Sequence, residues 1–91
     1  MEIIKYLATV LSKEISISPA AARGLIKLSI KDLLGPFYQI SKLTYIDLSS
    51  VIKESLKKRL IDLAIDNTEQ VIELLILELN KNQSLITIER I

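Results

Sequence analysis

Residues 60–79 read LIDLAIDNTEQVIELLILEL, two apolar segments separated by a short polar break. In the second segment the apolar residues recur at helical intervals: Val71, Ile72, Leu75, Ile76 and Leu79. This spacing predicts a helix over about residues 68–80. We expect Asn67 or Thr68 to cap it, because both side chains can accept a hydrogen bond from the free amides of a first helical turn.

The same stretch has a second interpretation. Residues 71–79 and 84–91 could form a β-hairpin across the polar turn at residues 80–83, because the final residues are β-prone. Glu69 and Glu73, together with the helical spacing, favour the helix. The hairpin remains an open alternative.

Earlier in the chain, apolar residues at helical spacing predict helices over about residues 2–15 and 48–65, with Asp47 capping the later one. Another helix is expected over about residues 19–34. Its start is indicated by Ser18-Pro19 and its end by Gly35-Pro36.

Residues 37–46 lack a clean helical face, and Tyr38, Ile40 and Ile46 have strand-like spacing. We therefore expect a short strand at 43–46 that pairs with residues 85–90. A first helical turn after Pro36 is the competing interpretation. The predicted fold class is mainly α: a small bundle of about four helices with a short two-stranded β element, 43–46 with 85–90. We expect residues 1–91 to form a single domain.

The last third of the chain resembles the winged helix-turn-helix family. The resemblance is carried by Leu63-Ala64, the polar turn Asp66-Asn67-Thr68, Val71, Leu74, Leu75 and Leu79, and Leu85-Ile86 leading into Arg90. It covers residues 42–91. It implies a positioning helix, a recognition helix and a truncated wing, and it implies DNA binding.

The charge of the presumed recognition helix opposes that use. Residues 68–80 hold three glutamates, Glu69, Glu73 and Glu78, and no Lys or Arg. A phosphate surface repels carboxylates, whereas recognition helices present basic and amide side chains. This acidic, leucine-rich helix is more typical of a module that docks on another protein.

Composition argues against an enzyme. The chain has no His, no Cys and no Trp, and only two Gly. The usual general base near neutral pH, the thiolate nucleophile and a glycine-rich phosphate loop are therefore missing. We expect no catalytic residues, no cofactor, no metal and no small-molecule substrate.

Aliphatic residues exceed what so short a chain can bury. Ile and Leu supply 16 residues each, so we expect some of them on the surface and in contact with a partner. The predicted protein-binding residues are Ile61, Ile65, Leu74 and Leu77. The partner would be a larger protein or another copy in a homo-oligomer. Alternatively, the first helix or the tail covers these residues.

Charge is distributed unevenly along the chain. Residues 19–60 carry +5, whereas residues 61–91 carry −4. The basic middle and the acidic end could meet different partners or meet each other in a dimer.

A low-ranked set of nucleic-acid-binding residues follows from the basic middle: Arg23, Lys27, Lys31, Lys53, Lys57 and Lys58. Solvated helix faces explain the same residues equally simply. On the helix of residues 19–34 we expect only the stripe of Arg23, Lys27 and Lys31 to be exposed. Arg59 is expected to pair with Asp62 or Asp66.

The expected function is a non-enzymatic accessory subunit within a nucleic-acid-processing complex, and the alternative is a winged-helix DNA-binding regulator. No signal-peptide core and no membrane-spanning run is visible. We therefore expect a cytoplasmic protein without a membrane partner.

Overall fold

The computed structural model describes residues 2–90 and the side chains of residues 2–86. Its elements are α1 (Glu2–Ile15), α2 (Pro19–Leu34), a 3-10 turn (Ile40–Lys42), α3 (Tyr45–Ser50), a π-helical segment (Val51–Leu56), α4 (Lys57–Asp62), α5 (Thr68–Lys81) and α6 (Gln83–Arg90). α3, the π-helical segment and α4 follow one another without a break and are called the composite helix. The mainly helical prediction is confirmed. No described helix has the length and apolar character needed to cross a bilayer.

The second helix begins and ends where the sequence predicts. Ser18 Oγ accepts a hydrogen bond from the Ala21 N–H at 3.1 Å, and Pro19 occupies the first turn. Gly35 ends the helix with a φ of 98°, a backbone conformation that a Cβ would strain. Its N–H still donates to the Lys31 carbonyl at 3.0 Å.

The composite helix starts earlier than predicted, and Thr44 caps it instead of Asp47. Thr44 Oγ1 accepts from the Asp47 N–H, and an Asp47 carboxylate oxygen accepts from the Thr44 N–H, both at 3.1 Å. This reciprocal capping box satisfies two amides at the helix start. Residues 43–46 therefore lead into a helix. The Tyr38 hydroxyl donates to the same carboxylate at 2.8 Å.

The spacing of the buried residues accounts for the π-helical segment. Leu48, Ile52, Leu56 and Leu60 stand four positions apart, and each is at most 1% exposed. In an α-helix of 3.6 residues per turn, a side chain four positions later points about 40° further round the helix axis. Over three such intervals, from Leu48 to Leu60, the direction would change by about 120°. The wider i→i+5 turn of a π-helix rotates less per residue, so it returns all four side chains to one face.

Four helices form a closed ring around the core. α1 packs against α2 and α5, and the composite helix packs against the same two helices. α2 and α5 consequently lie on opposite sides of the molecule. The buried apolar side chains form one cluster from Ile3 to Ile86. Among the described side chains, no buried polar atom lacks a hydrogen-bond partner. The ring therefore forms a complete core.

A left-handed residue closes the composite helix. The Ile65 N–H donates to the Leu60 carbonyl at 3.1 Å, and the Ala64 N–H donates to the Ile61 carbonyl at 2.9 Å. This pattern is a Schellman motif, in which glycine normally takes the left-handed position. Here Ala64 takes it with a φ of 59°. The chain therefore turns sharply at this corner.

The start of α5 also differs from the prediction. Asn67 occupies the cap position but makes no side-chain capping bond. The Thr68 hydroxyl instead donates backwards to the Ile65 carbonyl at 2.6 Å. The polar break is thus tied to the preceding turn rather than to the helix that follows.

The predicted β element, 43–46 with 85–90, is wrong, because residues 2–90 contain no strand. The Leu85 N–H donates to the Asn82 carbonyl at 3.0 Å, so the chain enters α6 directly after α5. Ile86 is buried, and α6 packs against α1 and the 3-10 turn. Burial against neighbouring helices here outweighs β propensity.

The alternative hairpin of residues 71–79 with 84–91 is wrong for the same reason. Both of its segments are helical as far as Arg90. Ile91, the last residue of that hairpin, lies outside the described residues.

Candidate docking surfaces

Several large apolar side chains remain exposed among residues 2–86: Tyr6, Leu28, Leu33, Phe37, Ile46, Ile61, Leu63 and Leu77. Two of the four predicted protein-binding residues are in this set. Ile61 is 57% exposed and Leu77 is 49% exposed. The other two, Ile65 and Leu74, are half-buried. All four thus contact solvent to some degree.

One surface lies where the composite helix ends, and we call Ile61, Leu63 and Ile65 the corner patch. Leu63 is the C-cap residue and is exposed. Ile65 folds back towards Leu60 through the Schellman closure. The three residues fall within five consecutive positions of this closed turn, and Ile65 also packs against the core. Ile61 and Leu63 supply most of its exposed apolar surface.

The second surface is the α5 outer face, which comprises Glu73, Leu74 and Leu77. Leu75 and Leu79 are fully buried on the inner side of the helix. With 3.6 residues per turn, Leu77 points away from both. Glu73, one turn before Leu77, is exposed. An aliphatic side chain therefore stands at the centre of this face beside a carboxylate.

Two tyrosine hydrogen bonds fix the rotation of α5 about its axis. The Tyr6 hydroxyl of α1 donates to the Glu78 carboxylate, and the Tyr45 hydroxyl of α3 donates to Asn80 Oδ1. The hydrogen bond to Glu78 raises the pKa of Tyr6 above its ordinary value of 10.0. Leu77 directly precedes Glu78, so these contacts hold it on the outer side of α5.

The structure separates the predicted docking residues into two surfaces. The corner patch precedes Thr68, and Leu77 follows Thr68 by nine residues of α5. At 1.5 Å per residue, nine residues of helix span about 13 Å. The corner patch and the α5 outer face are therefore distinct.

Sequence reasoning missed several exposed apolar residues, of which Leu28 and Phe37 are two. Leu28 was expected to be covered but is 46% exposed on α2, and Phe37 is 95% exposed after the Gly35-Pro36 turn. The signal for Leu28 was Gly24, which lies one turn earlier and leaves that side of the helix without a side chain. For Phe37, the signal was an aromatic residue directly after a helix-ending turn.

The basic residues of α2 lie along its α1 side. A groove of about 300 Å³ between the two helices is lined by Glu2, Ile4, Lys5, Arg23 and Lys27. Lys31, one turn after Lys27, is exposed. The predicted basic stripe of α2 is thus at the surface, and Lys5 of α1 extends it.

The other predicted basic residues do not extend this cluster. Lys57 Nζ pairs with a Glu69 carboxylate oxygen at 2.6 Å and so links α4 to α5. Lys58 lines a different groove beside Asp32, which stands on the opposite side of α2 from Arg23. Lys53 is exposed on the composite helix. The predicted nucleic-acid-binding residues therefore occupy more than one face.

An ion pair joins α2 to α4 across the second groove. Arg59 Nε lies 2.6 Å from Asp32 Oδ2, so Arg59 pairs with Asp32 and not with the predicted Asp62 or Asp66. The guanidinium holds the pKa of Asp32 below its ordinary value of 3.8, and the carboxylate raises the pKa of Arg59. Ser55 Oγ donates to the same carboxylate oxygen at 3.4 Å.

This second groove has a volume of about 500 Å³ and is lined by Asp32, Leu33, Glu54, Ser55, Lys58, Arg59 and Asp62. The carboxylate side chains of this groove lie among the cationic side chains of Lys58 and Arg59. Within the described residues, no group of three or more potential ligands is placed to hold a metal ion.

Comparison with protein-family models, with curated proteins and with solved structures returns no match for this chain. The winged helix-turn-helix resemblance stays a prediction. The surfaces described above therefore carry the functional argument.

Proposed function

We propose that this protein is a non-enzymatic interaction subunit that docks on a larger protein through the corner patch and offers the α5 outer face as a second docking surface. The observation that carries the proposal is the exposure of Ile61 and Leu77, at 57% and 49%, outside the buried apolar core. Clustered exposed aliphatic residues are typical of protein-binding surfaces.

The corner patch is the stronger of the two surfaces. It groups three aliphatic residues, Ile61, Leu63 and Ile65, on a turn held by two backbone hydrogen bonds. A rigid turn loses little conformational entropy when it binds. Burying a side chain that is about half exposed contributes roughly 1 kcal/mol, so Ile61 and Leu63 together supply a usable anchor.

The side-chain chemistry supports a role without catalysis. The chain has no His and no Cys. In the larger groove, Arg59 is engaged by Asp32. These groups stabilise the contact between α2 and the composite helix.

A photo-cross-linking experiment tests the docking role. A photoreactive phenylalanine analogue replaces Leu63 in the tagged full chain, and the same analogue replaces exposed Glu54 as the matched control. In extracts of the native cells, we expect one defined protein to cross-link from position 63 and not from position 54. Adding Ile61→Ser should abolish that product while circular dichroism shows unchanged helix content.

Two results would contradict the proposal. Position 63 could give no product, or Ile61→Ser could leave the product unchanged. Equal cross-linking from positions 63 and 54 would also count against a specific surface.

We propose a nucleic-acid-processing assembly as the setting, supported by the basic cluster of Lys5, Arg23 and Lys27 at the α1–α2 groove. Phosphate contacts by such residues weaken steeply with salt. In fluorescence anisotropy with labelled duplex DNA, Arg23→Glu should reduce affinity more than the matched control Lys53→Glu. Affinity that does not change with salt would exclude this setting.

A further inference from the structure

Gly24 has no packing role inside this chain. It lies in the middle of α2, two positions from each of the buried residues Ala22 and Ile26, and therefore faces away from the core. A Cβ built on Gly24 would meet nothing within 4 Å. Glycine in a helix interior is destabilising, yet no neighbour among the described residues requires it here.

The residues around Gly24 form a shallow site for another chain. Leu28, one turn later, is 46% exposed. Lys27 and Lys31 are exposed on the same side, and neither has an ion pair among the described residues. We call Gly24, Lys27, Leu28 and Lys31 the α2 outer face: a depression bordered by one aliphatic residue and two ammonium groups.

The α5 outer face has the complementary shape and charge. Leu77 projects from its centre, and Leu74 adds apolar surface one turn earlier. Glu73 is exposed and has no ion pair among the described residues. Where the α2 outer face has a gap and positive charge, the α5 outer face has a projecting leucine and negative charge.

We propose that the α5 outer face of one copy of this protein binds the α2 outer face of a second copy. Leu77 lies over Gly24, where the missing Cβ lets the two helix backbones approach closely. With the helices antiparallel, Leu74 meets Leu28, and Glu73 lies beside Lys27 and Lys31. This inference rests on the proposed docking role of the α5 outer face and leaves the corner patch free for another protein.

The ring of helices determines which kind of oligomer this contact between copies forms. α2 and α5 lie on opposite sides of the molecule, so one copy cannot offer both faces to the same neighbour. The contact is therefore head-to-tail, and it propagates into a chain or closes into a ring of more than two copies. The uneven charge, +5 over residues 19–60 and −4 over residues 61–91, favours the same arrangement.

Sedimentation velocity of the purified full chain at low ionic strength is the first test. We expect species larger than a dimer whose proportion grows with concentration and falls with added salt. A monomer at every concentration would overturn the inference, and so would association that stops at a dimer.

Charge reversal tests the faces themselves. Glu73→Lys should block association, as should Lys27→Glu combined with Lys31→Glu. An equimolar mixture of the two variants should associate again, because each now offers the complement of the other. The matched control Lys53→Glu, on the composite helix, should associate like the wild type. A mixture that stays monomeric would overturn the inference.

Substitution of Gly24 distinguishes an effect on the contact between copies from an effect on the stability of the fold. Gly24→Leu should weaken association by about tenfold or more while leaving the melting temperature unchanged or higher, because leucine favours helix. Ile61→Ser should not change association of the purified chain. If self-association fails while cross-linking from position 63 persists, only this inference is lost; the reverse pattern removes the corner-patch function and keeps the contact between copies.

Discussion

Left-handed backbone at residues other than glycine marks the ends of two helices. Ser16 has a φ of 58° and Ala64 a φ of 59°. Each follows the last turn of its helix, and Ile17 and Ile65 then fold back with hydrogen bonds of 3.1 Å. An L-residue in this conformation costs about 1–2 kcal/mol. Ser16 and Ala64 therefore each lower the stability of the fold relative to glycine at the same position.

Ala64→Gly should therefore stabilise the protein. Relief of the left-handed strain exceeds the greater freedom that glycine has in the unfolded chain, so the free energy of unfolding should rise by about 0.5–1 kcal/mol. Urea unfolding measures this change. The matched control Ala21→Gly, at an exposed helical position, should lower the free energy of unfolding by about 0.5–1 kcal/mol. Destabilisation by both variants would contradict the prediction.

The Asp32–Arg59 pair predicts a dependence on acid pH. The pKa of Asp32 is lowered in the folded state, so the stabilisation is present above the ordinary value of 3.8 and is lost as pH falls through the lower folded-state pKa. Arg59→Gln should raise the pKa of Asp32 towards 3.8 and so remove this acid-dependent loss of stability. NMR titration of the Asp32 carboxyl measures the shift, and Lys53→Gln is the control. An unchanged titration in Arg59→Gln would show that the pair does not form.

At the scale of elements, local signals and distant contacts define different helices. The bounds of α1, α2 and α5 follow closely from spacing and from Ser18-Pro19 and Gly35, because those signals act within a few residues. α6 could not be derived in this way, because it depends on packing of Ile86 and its neighbours against separate elements. The early start of the composite helix does follow a local signal, the Thr44–Asp47 capping box, which the choice of Asp47 as the cap overlooks.

The π-helical segment predicts an unusual tolerance to deletion. Removing exposed Lys53 changes the intervals between Leu48, Ile52, Leu56 and Leu60 from four, four, four to four, three, four. That pattern fits a regular α-helix, so the free energy of unfolding should change by less than about 1 kcal/mol.

A matched deletion of exposed Lys27 provides the contrast. It would rotate Ile30 by about 100° out of the core of regular α2 and should cost more than about 3 kcal/mol. Circular dichroism and urea unfolding of both variants check this difference. Equal damage from the two deletions would show that the π-helical segment is not a response to core spacing.

For the whole molecule, closure of the ring determines which aliphatic residues reach the surface. The sequence indicated an excess of aliphatic residues, and Ile61 and Leu77 are indeed exposed. Apolar spacing alone did not indicate Leu28 or Phe37, because it does not show how many neighbours surround α2 or where a loop projects. The separation of the docking residues into two surfaces likewise requires knowing how α5 lies against the composite helix.

The same ring predicts a sharp contrast between two leucines. Leu7 is fully buried on α1, so Leu7→Ala should lower the free energy of unfolding by about 2–5 kcal/mol. Leu77 projects outward, and Leu77→Ala should change it by less than about 0.5 kcal/mol in the monomer. Thermal and urea unfolding at high salt make the comparison. A large loss from Leu77→Ala would place that side chain in the core.

The packing of α1 against α5 has a consequence during synthesis on the ribosome. α2 follows α1 within a few residues and can cover one side of it as soon as both have emerged. The side of α1 that α5 covers, including the position that Tyr6 takes beside Glu78, must wait until α5 has also emerged. Until then the nascent chain carries an uncovered apolar stripe on α1, and the ring stays open.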